Sequence, residues 1–414
     1  MVAMNILYIN HYAGSPSMGM EFRTYYLSEE WKNMGHSVVI VAGDYSHLRI
    51  KNPVVGKDFA EENVDGVDYC WVQTGKYDGN GAKRAFSMFR FVYKLYVNAK
   101  MLVDRYKPDV VITSSTYPID TFAGQRIARL AGAKLIHEIH DMWPETLVQI
   151  GNMSRLHPFV MLMQWGENSF CRNSDAVVSL LPCAKNYLIA HGMGKENFFH
   201  VPNGVVISEW ECFEDLPDEH RKIFDHLHKE NRFVIGFFGS HTPSYCLDYL
   251  IEAVRCLRCE NIAVVLVGSG NYKEKLIESA EDLEDTVYFL KPIKKNSIPA
   301  LTREFDAIYV GAVDNAMFSF GICMNKLFDS MMAGKPILYA VNAPNNYIAE
   351  YNCGVSLMPE SVDDLVEGIR KLMKMTEKER FEMGYNGHVS AVKHFDYRVI
   401  AKNFADIMND VVRK

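Results

Sequence analysis

The sequence predicts an α/β protein built from two Rossmann-like, doubly wound domains that face each other across a cleft. Three observations carry that reading. Short apolar runs alternate with helical periods through the first half. The alternation restarts at Arg232 after an irregular, acidic stretch over 208–231. Three helical patterns then close the chain. Short apolar strands separated by helices make parallel sheets covered on both faces, and 414 residues suit two domains with a core each.

In order, 5–10 is a β-rich run, 20–34 has a helical period with Gly35 as its C-cap, and 36–42 is a second strand. Strands follow at 109–113, 133–137 and 175–181, separated by helical patterns at 119–130 and 158–171. In the second half the strands are 232–238, 262–267, 286–290, 306–310 and 336–341. The closing helices are 362–375, 377–394 and 397–412. Ligands of such folds sit outside the carboxyl ends of the strands, so a cleft between two such domains is the expected site.

Composition narrows the function. The net charge of −7 disfavours general nucleic-acid binding, which draws on cations meeting phosphates. Nine scattered cysteines in a large chain read as reduced thiols of a cytoplasmic protein. Cys256 and Cys259 form a C-x-x-C without a second pair, which is weak evidence for zinc or redox chemistry. No run of 18 apolar residues predicts a membrane span, and the first ten residues lack the features of a signal peptide. The stretch 82–107 is anomalous: seven cations against one acid, interleaved with Phe86, Phe89, Phe91, Tyr93 and Tyr96. That pattern suits an anionic membrane surface or an amphipathic helix with a solvated basic face.

The most informative segment is 318–336, Phe-Ser-Phe-Gly-Ile-Cys-Met-Asn-Lys-Leu-Phe-Asp-Ser-Met-Met-Ala-Gly-Lys-Pro. A glycine turn leads into a helix, and Ala-Gly-Lys-Pro ends it before a strand. A helix N-terminus offers free N–H groups to a phosphate. Lys326 lies in the first turn and Asp329 one turn on, on the same face. Residue types alone leave two readings of the pair: a diphosphate cation with a hydroxyl acceptor, or ordinary solvated helix charges.

This segment resembles glycosyltransferase family 4, the retaining two-domain (GT-B) nucleotide-sugar transferases, and most closely its branch that builds bacterial O-antigen, capsule and exopolysaccharide. Gly321 to Gly334 is similar to the branch pattern Gly-Ile-x-x-Asn-Lys-Leu-Phe-Asp/Glu-Tyr-Met-Ala-Ala-Gly. Gly35-His36, the run from His140 to Glu145, Pro202-Asn-Gly-Val205 and Val267-Gly-Ser-Gly270 resemble further family strings in the same order, over roughly residues 4–410.

The resemblance implies an acceptor-binding domain at 1–205, a nucleotide-sugar-binding domain at 206–396, and a last helix, 397–414, that packs back on the first. It implies a donor site of Gly19, Gly239, Ser240, His241, Gly268, Lys291, Ile293, Gly321, Ile322, Asn325, Lys326 and Asp329. Lys326 and the amides of 321–325 would hold the diphosphate, Asp329 the ribose, and the backbone of 291–293 the base. His140 would contact the transferring sugar, with Asp141 beside it, and Lys326 would offset the charge of the leaving group. Retention would proceed by front-face attack without a protein nucleophile; Glu138, Asp141 and Glu145 are the carboxylates at hand should a base be needed. Phe318 stands where the family carries its first acid, and Ser240 and Tyr245 where it carries two cations.

No cofactor or metal is expected. His137, His140 and Asp141 are the nearest thing to a metal set, and zinc asks for three or four ligands in closed geometry. The expected donor is a UDP-sugar ahead of a GDP-sugar. The expected acceptor is a saccharide on a polyprenyl diphosphate at the inner face of the plasma membrane, reached through 82–107. Two alternatives stay open: a catalytically silent partner of another transferase, and a nucleotide-sugar epimerase or hydrolase of the same fold.

Overall fold

The computed structural model describes residues 3–20, 22–79 and 81–413. It divides into two compact units, Met1–Pro202 with Tyr397–Lys414, and Asn203–Asp396.

Among the described residues, the first unit carries strands β1 (Asn5–Ile9), β2 (Ser37–Gly43), β3 (Ala60–Val64), β4 (Val67–Val72), β5 (Val110–Thr113), β6 (Lys134–Ile139), β7 (Ala176–Ser179) and β8 (Phe198–His200). They form one sheet in the order β3-β4-β2-β1-β5-β6-β7-β8. All neighbours are parallel except the β3–β4 hairpin. Asp65 and Gly66 turn that hairpin, both at positive φ, as a two-residue type I′ turn requires. The order reverses between β1 and β5, which puts the switch point at the loops beginning at Asn10 and Ser114.

The helix Tyr397–Arg413 belongs to this unit because Trp31 holds it. The indole Nε1 donates to the Ala401 carbonyl at 2.9 Å, and its ring meets Phe404 edge-on at 5.1 Å. The basic stretch forms two helices rather than one, Ala82–Val97 and Ala99–Tyr106. The break falls at Asn98, whose ψ of 14° leaves the helical region. Phe91 and Leu95 are buried, whereas Phe86, Phe89, Tyr93, Tyr96 and Val97 face solvent.

The second unit carries β9 (Phe233–Phe238), β10 (Ile262–Val267), β11 (Val287–Leu290), β12 (Ala307–Gly311), β13 (Ile337–Ala340) and β14 (Gly354–Leu357). The all-parallel order β11-β10-β9-β12-β13-β14 is the 3-2-1-4-5-6 order of dinucleotide-binding sheets. Its switch point lies between β9 and β12. The stretch 208–231, expected to be irregular, contains the helices Ile207–Glu211 and Asp218–Lys229. His220, Phe224 and Leu227 make the buried stripe of the second helix.

The division at Pro202/Asn203 falls three residues before the expected 205. The cause is local. Asn203 donates its backbone N–H to Cys323 Sγ and its side-chain amide to the Cys323 carbonyl. Val205 donates to the Phe395 carbonyl at 2.8 Å and is buried in the second core.

Candidate active site

In the second unit, three loops meet at the switch point. Gly239 follows β9, Gly268 follows β10, and the turn Ala316–Phe320 after β12 leads through Gly321 into the helix Asn325–Met332. Gly239 (φ 133°) and Gly268 (φ 153°) both occupy backbone space that favours glycine. A Cβ on Gly268 would overlap the Gly239 carbonyl, and one on Gly239 would stand 2.9 Å from Lys326 Cε and 3.0 Å from Nζ. The loops therefore lie on one another, and the lysine lies on the loops.

Lys326 is unusual in what it lacks. Its Nζ is buried and has no hydrogen-bond partner. It sits instead over two rings, 3.6 Å from the centroid of Phe237 and 3.7 Å from that of Tyr245. Burial pushes its pKa well below the ordinary lysine value. His241, between the two glycine loops, is fully buried, and neither ring nitrogen has a partner. Burial, with Lys273 and Lys326 nearby, pushes its pKa down to about 4, so it is a neutral ring with one N–H to give. Lys273 was not foreseen from sequence. Its ammonium bonds the Gly268 and Leu290 carbonyls at 2.8 and 2.7 Å and ties β10 to β11.

The helix start is uncapped: Met324 makes no side-chain bond to it. The first-turn amides of Asn325 and Lys326 thus belong to the set that has no intrahelical acceptor. Two expected amide donors are not available. Gly321 N–H is used by the Phe318 carbonyl, and Ile322 N–H by Asn345 Oδ1 at 2.8 Å. Gly321 serves through its φ of 100°, and Ile322 is clasped by the Asn345 amide, which also donates to its carbonyl. Asp329 parts from Lys326 in its surroundings. Burial raises its pKa to about 6, moderated by Lys295 and reinforced by Glu209. The expected base-lining stretch begins with a carbonyl already engaged, since Lys291 O lies 2.9 Å from His220 Nε2. The Lys291 side chain is exposed and pairs with Glu219, and Ile293 packs against the core. Ser240 is exposed at the loop tip, and Phe318 also packs on the core.

Gly19, His140 and Asp141 lie in the first unit. Gly19 (φ 89°) closes a short turn against Ile50. His140 follows β6 at the rim of a recess lined also by Ser115, Glu138, Asp141, Trp143 and Glu167. Its Nε2 lies 2.9 Å from Ser114 Oγ and 3.1 Å from Glu138 Oε2. Glu138 is fully buried and also accepts from Arg23 Nε at 3.0 Å, Ser114 Oγ at 2.6 Å and the Tyr8 hydroxyl. Burial alone would raise its pKa, but Arg23 and the bonds from His140 and Ser114 hold it well below the carboxylate range. An ionised carboxylate only accepts, so His140 carries its proton on Nε2.

Of the three carboxylates at hand, two are committed. Glu138 is the anchor just described, and Glu145 is gripped by Arg155 through bonds of 2.6 and 2.8 Å. Asp141 alone of the three is exposed. His137 is no ligand candidate: it stacks on Phe170 at 3.8 Å and meets Thr113 Oγ1 at 2.7 Å. Among the described residues no group of three or more His, Cys, Asp or Glu is placed to hold a metal ion. The residues missed from sequence (Tyr8, Arg23, Ser114, Lys273) act through partners up to 130 positions away, and no local string announces them.

Residues 18–204 match the family described as "Glycosyl transferase 4-like domain", and residues 218–389 the family described as "Glycosyl transferases group 1". The two matches together span most of the chain. It belongs to the family 4-type glycosyltransferases and has their two-domain GT-B fold. It is 25% identical over 283 residues to WcaI of Escherichia coli (strain K12), provisionally named a colanic acid biosynthesis glycosyl transferase; the match covers 65% of this chain and 67% of that protein. Among solved structures it is similar in fold to Anabaena HepE in complex with UDP, with a TM-score of 0.69 and 17% identity over 98% of this chain and 100% of that one. It is also similar to sucrose-phosphate synthase from Thermosynechococcus elongatus, with a TM-score of 0.74 and 14% identity over 99% of each chain.

Proposed function

We propose that this glycosyltransferase is a retaining enzyme that moves a sugar from a nucleoside diphosphate donor, UDP-linked ahead of GDP-linked, to a saccharide on a polyprenyl diphosphate carrier. The product feeds a surface polysaccharide such as O-antigen or capsule. One observation carries the donor half: the buried Nζ of Lys326, without a hydrogen-bond partner, at the glycine loops of a Rossmann switch point. Buried charges in folded proteins are normally paired, and a diphosphate is the partner that this one fits.

Lys326, the helix-start amides and the His241 N–H stabilise the charge that grows on the leaving diphosphate, which is where electrostatic catalysis acts. The acceptor hydroxyl attacks from the face that the diphosphate leaves, and a diphosphate oxygen takes its proton. No metal is needed in this scheme. Asp329, ionised above about pH 6, accepts from a ribose hydroxyl. The His140 imidazole, fixed by Glu138 and Ser114, contacts the transferring sugar, with exposed Asp141 beside it. The UDP in the HepE complex supports uridine, and the name of WcaI supports polysaccharide synthesis.

The membrane half rests on the helix Ala82–Val97. Phe86 and Tyr93 are 65% and 66% exposed, beside exposed Lys83 and Arg90. Several cations of 82–107 already have partners: Lys94 is paired with Asp58 at 2.6 Å, Arg105 with Glu61 at 3.5 Å, and Arg90 donates to the Thr74 carbonyl at 3.2 Å. Among the described residues no helix is long and apolar enough to cross a membrane, and the proposed attachment is peripheral, at the cytoplasmic face.

The test is thermal unfolding with UDP or GDP, in EDTA, beside Lys326→Met. A ligand at one hundred times its Kd stabilises the native state by about 2.7 kcal/mol. One nucleotide raises the Tm of the wild type and not of the variant. A shift with neither favours the silent-partner reading, and donor turnover without acceptor favours the hydrolase or epimerase.

A further inference from the structure

We infer that Phe237 and Tyr245 form an aromatic clamp that holds the Lys326 ammonium above Gly239, aimed at the donor diphosphate, and that Tyr245 is therefore a positioning residue for donor binding. The inference rests on the donor reading above and deepens it.

The geometry is specific. The two ring centroids stand at 3.6 and 3.7 Å from Nζ, and the rings are 5.7 Å from each other and inclined by 57°. They form an open wedge rather than a stack, and the ammonium fills it. Phe237 is the fifth residue of β9 and fully buried, so one wall is part of the sheet. Tyr245 lies in the short helical turn Pro243–Tyr245 of the loop that follows. That wall is half-buried and packs on the edge of the same core, so leucine is the replacement that keeps an apolar contact and removes the ring face.

Ring faces attract a cation through their quadrupole and bring no negative charge with them. A carboxylate in the same place would neutralise the lysine and compete with phosphate. The clamp does neither: it holds the ammonium and leaves its charge uncompensated for an anion. The end of the lysine also lies against the Gly239 turn, where a Cβ would stand 2.9 Å from Cε and 3.0 Å from Nζ, so backbone and rings hold it from two sides. The neutral His241 ring lies 5.9 Å from Phe237 and adds no competing negative charge.

Affinities are measured by titration calorimetry, in EDTA, for UDP and GDP and for UMP and GMP, with wild type, Tyr245→Phe, Tyr245→Leu and Lys326→Met. Circular dichroism confirms folding. The wild type prefers the diphosphate to the monophosphate of its nucleotide. Tyr245→Phe keeps that preference, because it keeps the ring face. Tyr245→Leu loses it about tenfold, with monophosphate affinity unchanged, and approaches Lys326→Met. A loop that was only distorted would weaken both nucleotides alike, and that result overturns the clamp. So does a Tyr245→Leu protein with the preference of the wild type. Binding of neither nucleotide by the wild type overturns the donor reading and the clamp together.

Discussion

Replacing Glu138 by Gln tests the electrostatic centre of the first unit. Glu138 has no exposed side-chain surface and Arg23 only 4%, and they meet at 3.0 Å. The amide removes the charge and turns one acceptor oxygen into a donor. Oε2 now accepts from Ser114, His140 and Tyr8; an NH2 there faces three hydroxyl or ring donors. Arg23 also donates to the Val201 and Pro202 carbonyls at 2.9 and 2.6 Å, so it stays where it is and its charge is left uncompensated. Breaking one side of a buried pair costs about 3–5 kcal/mol. At roughly 2–4 °C per kcal/mol for a unit of this size, the first unit melts on the order of 10 °C lower. The pH dependence has a definite sign. The folded pKa of Glu138 is depressed, so its stabilisation is complete above the ordinary glutamate value of about 4.3 and drains away as pH falls below it. The gap between wild type and variant therefore narrows below about pH 4. The assay is calorimetric unfolding from pH 3 to 8, with Arg23→Met/Glu138→Leu as the companion. The double variant loses less than either single change, because no unpaired charge remains. A loss under 1 kcal/mol at pH 7 for Glu138→Gln, or full additivity in the double variant, refutes the reasoning.

Glu167 predicts the opposite pH behaviour: burial pushes its pKa up to about 8, so the native state holds a proton that the unfolded state releases, and stability falls as pH rises from about 4.5 to 8. Glu167→Gln, which keeps an acceptor for the Tyr187 hydroxyl, raises the Tm at pH 8 and leaves it unchanged near pH 4; an unchanged Tm at pH 8 contradicts this. On the exposed face of Ala82–Val97, Phe86→Ser with Tyr93→Ser abolishes co-flotation with anionic vesicles and changes stability by less than about 0.5 kcal/mol. Wild-type binding that salt does not weaken would count against the role of Lys83 and Arg90.

Most of the parallel strands were legible because apolar runs such as 262–267 have no polar alternation to confuse them. The hairpin of β3 and β4 was not, although Asp65-Gly66 carries its turn signal. Its outer strand, Ala60-Glu-Glu-Asn-Val64, has too few apolar residues to look like one. Asp218–Lys229 was hidden for a similar reason: one of its three buried positions is His220, which a hydrophobic period does not count. The site divided along the same line. Lys326, Gly239 and Gly268 were readable as local strings, because glycine turns and helix starts are local physics. The Arg23–Glu138 pair spans 115 positions and arises only when β1, β5 and β6 lie side by side. The hydrogen bonds that occupy the Gly321 and Ile322 amides depend on Phe318 and on Asn345, which no spacing rule connects to a phosphate loop.

The two units treat buried charge in opposite ways, and the contrast yields a last prediction. Glu138 is satisfied by four side chains, so its removal is costly. Lys326 is satisfied by none through hydrogen bonds. Two ring faces return roughly 0.5–2 kcal/mol each, against a desolvation penalty of several kcal/mol for a buried ion. A folded chain carries such a deficit where something other than stability is selected. Lys326→Met keeps the length and the contact with both rings and deletes the charge. The unliganded variant is therefore more stable than the wild type, by about 1–3 kcal/mol at pH 7. The lowered lysine pKa means that the unfolded chain holds the extra proton, so wild-type stability rises with pH toward the ordinary lysine value, and the advantage of the variant shrinks along the same path. Urea unfolding of the nucleotide-free proteins from pH 6 to 10 measures it. A variant that is less stable at every pH would mean that the ammonium is paid for within the fold, and the case for a phosphate partner would lose its energetic basis.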